Sequence, residues 1–219
     1  MSETATPTLK LERALMDAGS SLVVGMDEVG RGAFGGPVTV GACAVDVHTS
    51  PPPAGLRDSK LLTAVAREKL LSPVTSWSVS IAVGDASAQE IDEVGIIGAL
   101  RLAGMRALAG LNIVPNVVLL DGSHDWLTPP PANLFEAESD FDLKVVMKVK
   151  ADMSCASVAA ASIAAKVHRD NLMRAAESQY PGYGWATHVG YGTSTHREAI
   201  AKLGLTPLHR SSWKLIAED

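Results

Sequence analysis

The chain has 219 residues, 47% of them hydrophobic, enough for one large domain, or a domain with a small appendage, around a sizeable core. The opening MSETATPTLK has neither the basic region nor the apolar core of a signal peptide, and no window reaches 18 uninterrupted apolar residues, so a membrane partner is not expected and a cytoplasmic protein is. The net charge of −5 argues at first against a nucleic-acid partner, but residues 1–143 carry 9 Lys and Arg against 18 Asp and Glu (net −9), and residues 144–219 carry 10 against 6 (net +4).

Residues 1–18 read as a partly ordered N-terminal segment. Ser21 to Met26 (SLVVGM) is a short apolar run with the character of a buried strand, and it ends on Asp27-Glu28-Val29-Gly30-Arg31-Gly32. Pro37 to Val47 is rich in Val and Ala and predicts a second strand, paired with the first as a hairpin across the glycines. Pro51 to Pro53 mark a loop, Thr63 to Leu71 a short helix, and Val79 to Val83 a third strand. Ser87 and Glu90 have capping-box spacing. Ile91, Val94, Gly98, Leu102 and Met105 then recur at three and four residues, predicting an amphipathic helix to about Gly110. Val117 to Leu120 is a fourth strand, a second Pro-rich loop falls at 129–131, and Leu143 to Val149 is a fifth strand. An Ala-rich helix runs from about Ser154 to Glu177. The pattern predicts an α/β fold, a mixed five-stranded sheet flanked by helices.

Acids recur at the strand ends. Asp27 and Glu28 close the first strand, Asp121 closes the fourth just before Gly122, and Asp152 follows the fifth at the start of a helix. Each alone is an ordinary turn or cap residue, because Asp is favoured at both places. In a sheet whose strand ends cluster, together they form a set of carboxylates that repel one another and that divalent cations would neutralise. Hard oxygen donors without an organised His or Cys set point to Mg²⁺ or Mn²⁺ rather than zinc. Two such ions about 3.5–4 Å apart serve in-line displacement at phosphorus, which is nuclease chemistry. Gly30 and Gly32 would let backbone N–H groups approach a ligand, and Arg31 offers a cationic fork for phosphate.

Other polar residues read as structural. Cys43 and Cys155 lack metal-ligand spacing and are expected to be buried thiols. Asp170 lies 18 positions beyond Asp152, roughly 27 Å away on one straight helix at about 1.5 Å per residue, and is expected to pair with Lys166. His188, His196 and His209 are read as structural histidines, with phosphate binding or proton transfer as the alternative. Ser162 and its neighbouring alanines are expected to let their helix pack closely on the sheet.

The run from Asp27 to Gly32, Leu120-Asp121-Gly122, and Lys150-Ala151-Asp152 leading into Ala160-Ala161-Ser162-Ile163-Ala164-Ala165-Lys166-Val167-His168-Arg169-Asp170 resemble the signature of the bacterial type 2 ribonucleases H. Asp58-Ser59-Lys60, the segment His188 to Thr193 and His209-Arg210 fit the same pattern, in family order, over about residues 20–213. The resemblance implies a ribonuclease H-like catalytic domain over 19–178 and a small helical, substrate-binding C-terminal region over 179–219. It implies that Asp27, Glu28, Asp121 and Asp152 are metal-binding and catalytic, with two Mg²⁺ or Mn²⁺ ions. Gly30, Arg31 and Gly32 would read a ribose 2′-hydroxyl, Tyr191 would pack on the neighbouring deoxyribose, and Lys60 would contact phosphate. The implied activity is endonucleolytic hydrolysis of the RNA strand of RNA–DNA hybrids and of ribonucleotides embedded in DNA duplexes, leaving 5′-phosphate and 3′-hydroxyl ends. Val29 and Ala33-Phe34 depart from the usual pattern without touching the carboxylates. A monomer is expected, and no tail for a sliding-clamp partner is recognisable. Two alternatives stand beside this reading: another nuclease of the fold class, such as a junction resolvase, and a catalytically silent hybrid-binding protein.

Overall fold

A computed structural model describes residues 6–129 and 143–215; the first five residues and most of the predicted loop at 129–131 lie outside it. In chain order the elements are α1 (Lys10–Asp17), β1 (Leu22–Val29), β2 (Val38–Asp46), a 3₁₀ turn (Ser59–Leu61), α2 (Ala64–Trp77), β3 (Ser80–Ala86) and α3 (Ala88–Gly110). There follow β4 (Val117–Asp121), β5 (Lys144–Lys148), a second 3₁₀ turn (Ala151–Met153), α4 (Ala156–Gln179), α5 (Trp185–His188) and α6 (Ser194–Leu203). The sheet order is β3-β2-β1-β4-β5, with β1 antiparallel to β2 and parallel to β4, so the sheet is mixed as expected.

Strand alternation divides the core into two layers. Val23, Cys43, Val45, Val117 and Leu119 face α4, while Val24, Met26, Ala42, Val118 and Leu120 face α3. Both faces are covered, which is why β1 and β4 read as continuous apolar runs. The alanines of α4 let it lie almost on the sheet: a Cβ at Gly41 would stand 2.1 Å from the Ala161 carbonyl oxygen, and one at Gly25 would stand 2.4 Å from Ser157 Oγ. Cys43 and Cys155 are buried free thiols in this core, held above their ordinary pKa by burial.

Two parts depart from the sequence reading. Residues 10–17 form a helix, and its Glu12 is buried and accepts both the backbone N–H (2.9 Å) and the hydroxyl (2.7 Å) of Ser157, capping the start of α4 from across the fold. The capping box of Ser87 and Glu90 is present as read, but the expected stripe along α3 is not the buried one. Gly95 leaves helical geometry (φ 71°, ψ 166°), so the helix restarts in a new phase. Ala99, Leu100, Ala103, Ala107 and Leu108 then face the sheet, while Val94 and Met105 are exposed.

Beyond α4, Trp185 is fully buried in a third cluster with Met173, Tyr183, Ile200 and Leu215, which fastens α5 and α6 to the end of α4.

Candidate active site

Because β1 and β4 run parallel with Met26 opposite Leu120, the residues that follow, Asp27 and Asp121, emerge from neighbouring strands at the same edge. Asp121 Oδ1 accepts the Ala151 amide at 2.6 Å, which holds the turn after β5 against β4 and brings in Asp152. That turn needs Lys150 in the left-handed region (φ 57°), and Asp152 sits within the 3₁₀ turn rather than on α4 itself. Asp58 accepts the Lys60 amide at 2.9 Å, and Ser59 bonds Ser162 of α4 at 2.6 Å. The 3₁₀ turn thus aims Lys60 at the acids, with Lys60 Nζ 3.1 Å from Asp152 Oδ2.

Asp27, Glu28 and Asp121 line one cleft together with Gly30, Arg31, Gly32, Lys60 and Tyr191, and Asp152 joins them across Lys60. Burial pushes Asp27 up to about 7, reinforced by Glu28 and Asp121 and opposed by the Ser162 hydroxyl and Lys60. Burial also raises Glu28, with Arg31 (3.4 Å) pulling it back, and burial with the Asp152 charge raises Asp121. Burial alone would lower Lys60, but Asp27, Asp152 and Asp58 outweigh it and hold the ammonium above its ordinary range. Burial is thus the main cause of each rise, and mutual repulsion among the acids adds to it.

Its chemistry fits a hard divalent cation. Asp27 Oδ2 is buried and has no hydrogen-bond partner among the described residues, while Oδ1 accepts the Glu28 amide at 2.9 Å. An oxygen left so is costly unless something cationic meets it. Among the described residues no three His, Cys, Asp or Glu side chains form a ready-made metal cluster. Mutual repulsion and the Lys60 contact account for carboxylates that share a cleft without closing on a common point.

The glycine loop lines the same cleft. Gly30 adopts φ +84°, and a Cβ there would stand 2.1 Å from Arg169 Nε, so this glycine is required by its own conformation and by what lies beneath. A Cβ at Gly32 would meet nothing within 4 Å, so the backbone there is open to a ligand. Arg31, expected to be a phosphate fork, lies on Glu28. Tyr191 is partly exposed, with the Arg169 guanidinium 5.7 Å from its ring centroid.

The remaining candidates are structural. Asp170 is buried on Lys166 (2.7 Å), which itself lines the cleft, and on Arg67 (3.5 Å). His188 stacks on His196 at 4.2 Å, and His196 bonds the Tyr191 carbonyl (3.0 Å) and His209 (3.2 Å) inside the C-terminal cluster. Burial lowers His196 to about 4. Arg169 and Arg210, which have no role in the sequence-based expectation, are both fully buried beneath the loop; their signals in the sequence are an arginine within an Ala-rich run and one next to His209.

The model of the ribonuclease HII family matches residues 24–216. The ribonuclease HII of Streptomyces avermitilis is 44% identical over 208 residues, covering 94% of this chain and 83% of that one. The crystal structure of the ribonuclease H2 from Pyrococcus horikoshii superposes with a TM-score of 0.68 at 28% identity, over 89% of this chain and 94% of that one. Bst-RNase HIII, in a crystal structure with Mn²⁺, shares the fold with a TM-score of 0.63 at 21% identity, over 92% of this chain and 70% of that one. The five-stranded mixed sheet is thus the ribonuclease H-like fold. Since the family's pattern runs from β1 to the last described residues and its bacterial members align over nearly the whole length, the chain belongs to the ribonuclease HII family.

Proposed function

We propose that this ribonuclease H is a divalent-metal-dependent endonuclease acting on the RNA strand of RNA–DNA hybrids and on ribonucleotides embedded in DNA duplexes. The observation that carries this reading is one cleft lined by the buried Asp27, the half-buried Glu28 and Asp121, the glycine loop and the Tyr191 ring. Asp27, Glu28, Asp121 and Asp152 would hold two Mg²⁺ or Mn²⁺ ions, which when bound supply an activated water and stabilise charge in an in-line displacement at phosphorus.

The protein's own groups supply recognition. The amides of Arg31 and Gly32 have no protein acceptor among the described residues and are free to meet a 2′-hydroxyl, the group that distinguishes RNA from DNA. The Tyr191 ring suits a deoxyribose, where it tolerates a bare C2′ and crowds a hydroxyl. Lys60 and Arg31 would exchange their carboxylate partners for backbone phosphates, which position the duplex without reading its sequence. Residues 179–219 would extend this contact along the duplex as a substrate-binding region, and the chain would act as a monomer. Among the described residues no helix is long and apolar enough to cross a membrane.

A DNA duplex with a single ribonucleotide, incubated with Mg²⁺ or Mn²⁺, tests the reading. Cutting confined to that position, with 5′-phosphate and 3′-hydroxyl ends, is expected. Cutting at branched DNA favours a resolvase, and retention without cutting favours a hybrid-binding protein.

A further inference from the structure

Arg169 and Arg210 are fully buried, yet among the described residues neither has a carboxylate within ion-pair distance. A buried cation in that position is tolerable only if dipoles surround it. Backbone carbonyls do so here. Arg169, on α4, donates from Nε to Pro37 O (2.9 Å) and from its terminal nitrogens to Val189 O (2.8 Å) and Gly35 O (3.0 Å). Arg210 donates to Gly30 O (2.6 Å), Arg31 O (2.8 Å) and Gly36 O (3.2 Å).

The consequence follows from peptide geometry. In a trans peptide the N–H points opposite to the C=O of the preceding residue. Drawing the Gly30 and Arg31 carbonyls inward onto Arg210 therefore turns the Arg31 and Gly32 N–H groups outward, and these are the amides without a protein acceptor. Arg169 sets the lateral spacing. It grips the loop at Gly35 and Pro37, grips Val189 just ahead of Tyr191, and lies under both Gly30 and the Tyr191 ring.

We infer that Arg210 and Arg169 are positioning residues that present the Arg31 and Gly32 amides to the cleft and fix their distance from Tyr191, so that together they set selectivity for an isolated ribonucleotide. The inference rests on the function proposed above. An all-RNA strand offers a 2′-hydroxyl at every step, so a displaced loop still meets one. An isolated ribonucleotide must meet the amides in one register.

The test compares kcat/KM on a single-ribonucleotide duplex with kcat/KM on an all-RNA hybrid for wild type and Arg210→Lys, which keeps the charge and loses the planar fan of donors. The ratio is expected to fall by roughly tenfold or more, the scale of a small misplacement of recognition groups, with kcat on the all-RNA hybrid largely kept. A merely structural role would lower both substrates alike, and that result, or an unchanged ratio, overturns the inference. Should Arg210→Lys not fold, Arg169→Lys is measured in the same way. A selective fall in the ratio supports the inference, and an unchanged ratio or equal losses on both substrates overturn it. Wild-type protein that does not cut at the ribonucleotide would sink the proposed function instead.

Discussion

The two walls of the cleft are built on opposite principles. On the acidic wall burial and like charge raise Asp27, Glu28 and Asp121, and one Asp27 oxygen is buried without a partner. Beneath the glycine loop two buried cations are satisfied by backbone carbonyls. On the proposed reading, the wall that takes up ions keeps unmet charge, whereas the wall that holds the Arg31 and Gly32 amides still is fastened from beneath through its carbonyls. The first should respond to substitution in activity, the second in stability and selectivity.

Asp121→Asn is the strongest way to break this contrast. Asn keeps an oxygen for the Ala151 amide while losing the charge, so turnover should drop on the order of a hundredfold or more with the melting temperature held or raised. A steady-state cleavage assay beside a thermal melt checks it, and full activity would remove Asp121 from the machinery. Across the cleft, Arg210→Met should destabilise the fold by roughly 3 kcal/mol, because it strips donors from buried carbonyls. Urea denaturation measures this, and a change below about 0.5 kcal/mol would show that those carbonyls find other partners.

The pH dependence of stability without metal should separate the acidic wall from the C-terminal cluster by sign. Asp27 in the fold holds a proton that the unfolded chain releases between its ordinary value and about 7, so its contribution to stability falls as pH rises through that window. His196 is held at about 4, so the unfolded chain protonates first as pH drops from the ordinary histidine value, and stability falls toward acid. Urea midpoints from pH 4 to 7 should therefore climb more steeply with pH in Asp27→Asn and less steeply in His196→Gln. Curves parallel to wild type in both variants would contradict the burial argument. The smallest effect belongs to Arg31→Ala. Its 3.4 Å pair with Glu28 is partly exposed, so stability should move by no more than about 0.5 kcal/mol, while KM for the duplex rises.

What could be read from sequence depended on how local its cause was. The capping box of Ser87 and Glu90, the apolar runs of β1 and β4 and the acids closing them are written in adjacent residues. The buried face of α3 differs from the one its periodicity predicts because one conformational break at Gly95 shifts the phase of everything after it. Helix α1 was missed because it is only eight residues long, and what fixes it is Glu12 against Ser157, far along the chain. Arg169 and Arg210 stand in the sequence as parts of the family pattern, but their meeting beneath one loop does not show there: arginine is ordinarily a surface residue, and backbone carbonyl partners leave no mark in composition. Glycine at position 30 was legible as a loop residue, but its cause, the Arg169 guanidinium under it, was not.

Mn²⁺ binding followed by the EPR signal of the free ion tests the central claim most directly, with wild-type protein compared against a variant carrying Asp27→Asn and Asp121→Asn. Wild type should remove Mn²⁺ from solution, and the variant, still folded by circular dichroism, should not. Equal uptake by both proteins would mean that the strand-end acids are not where the ion is held.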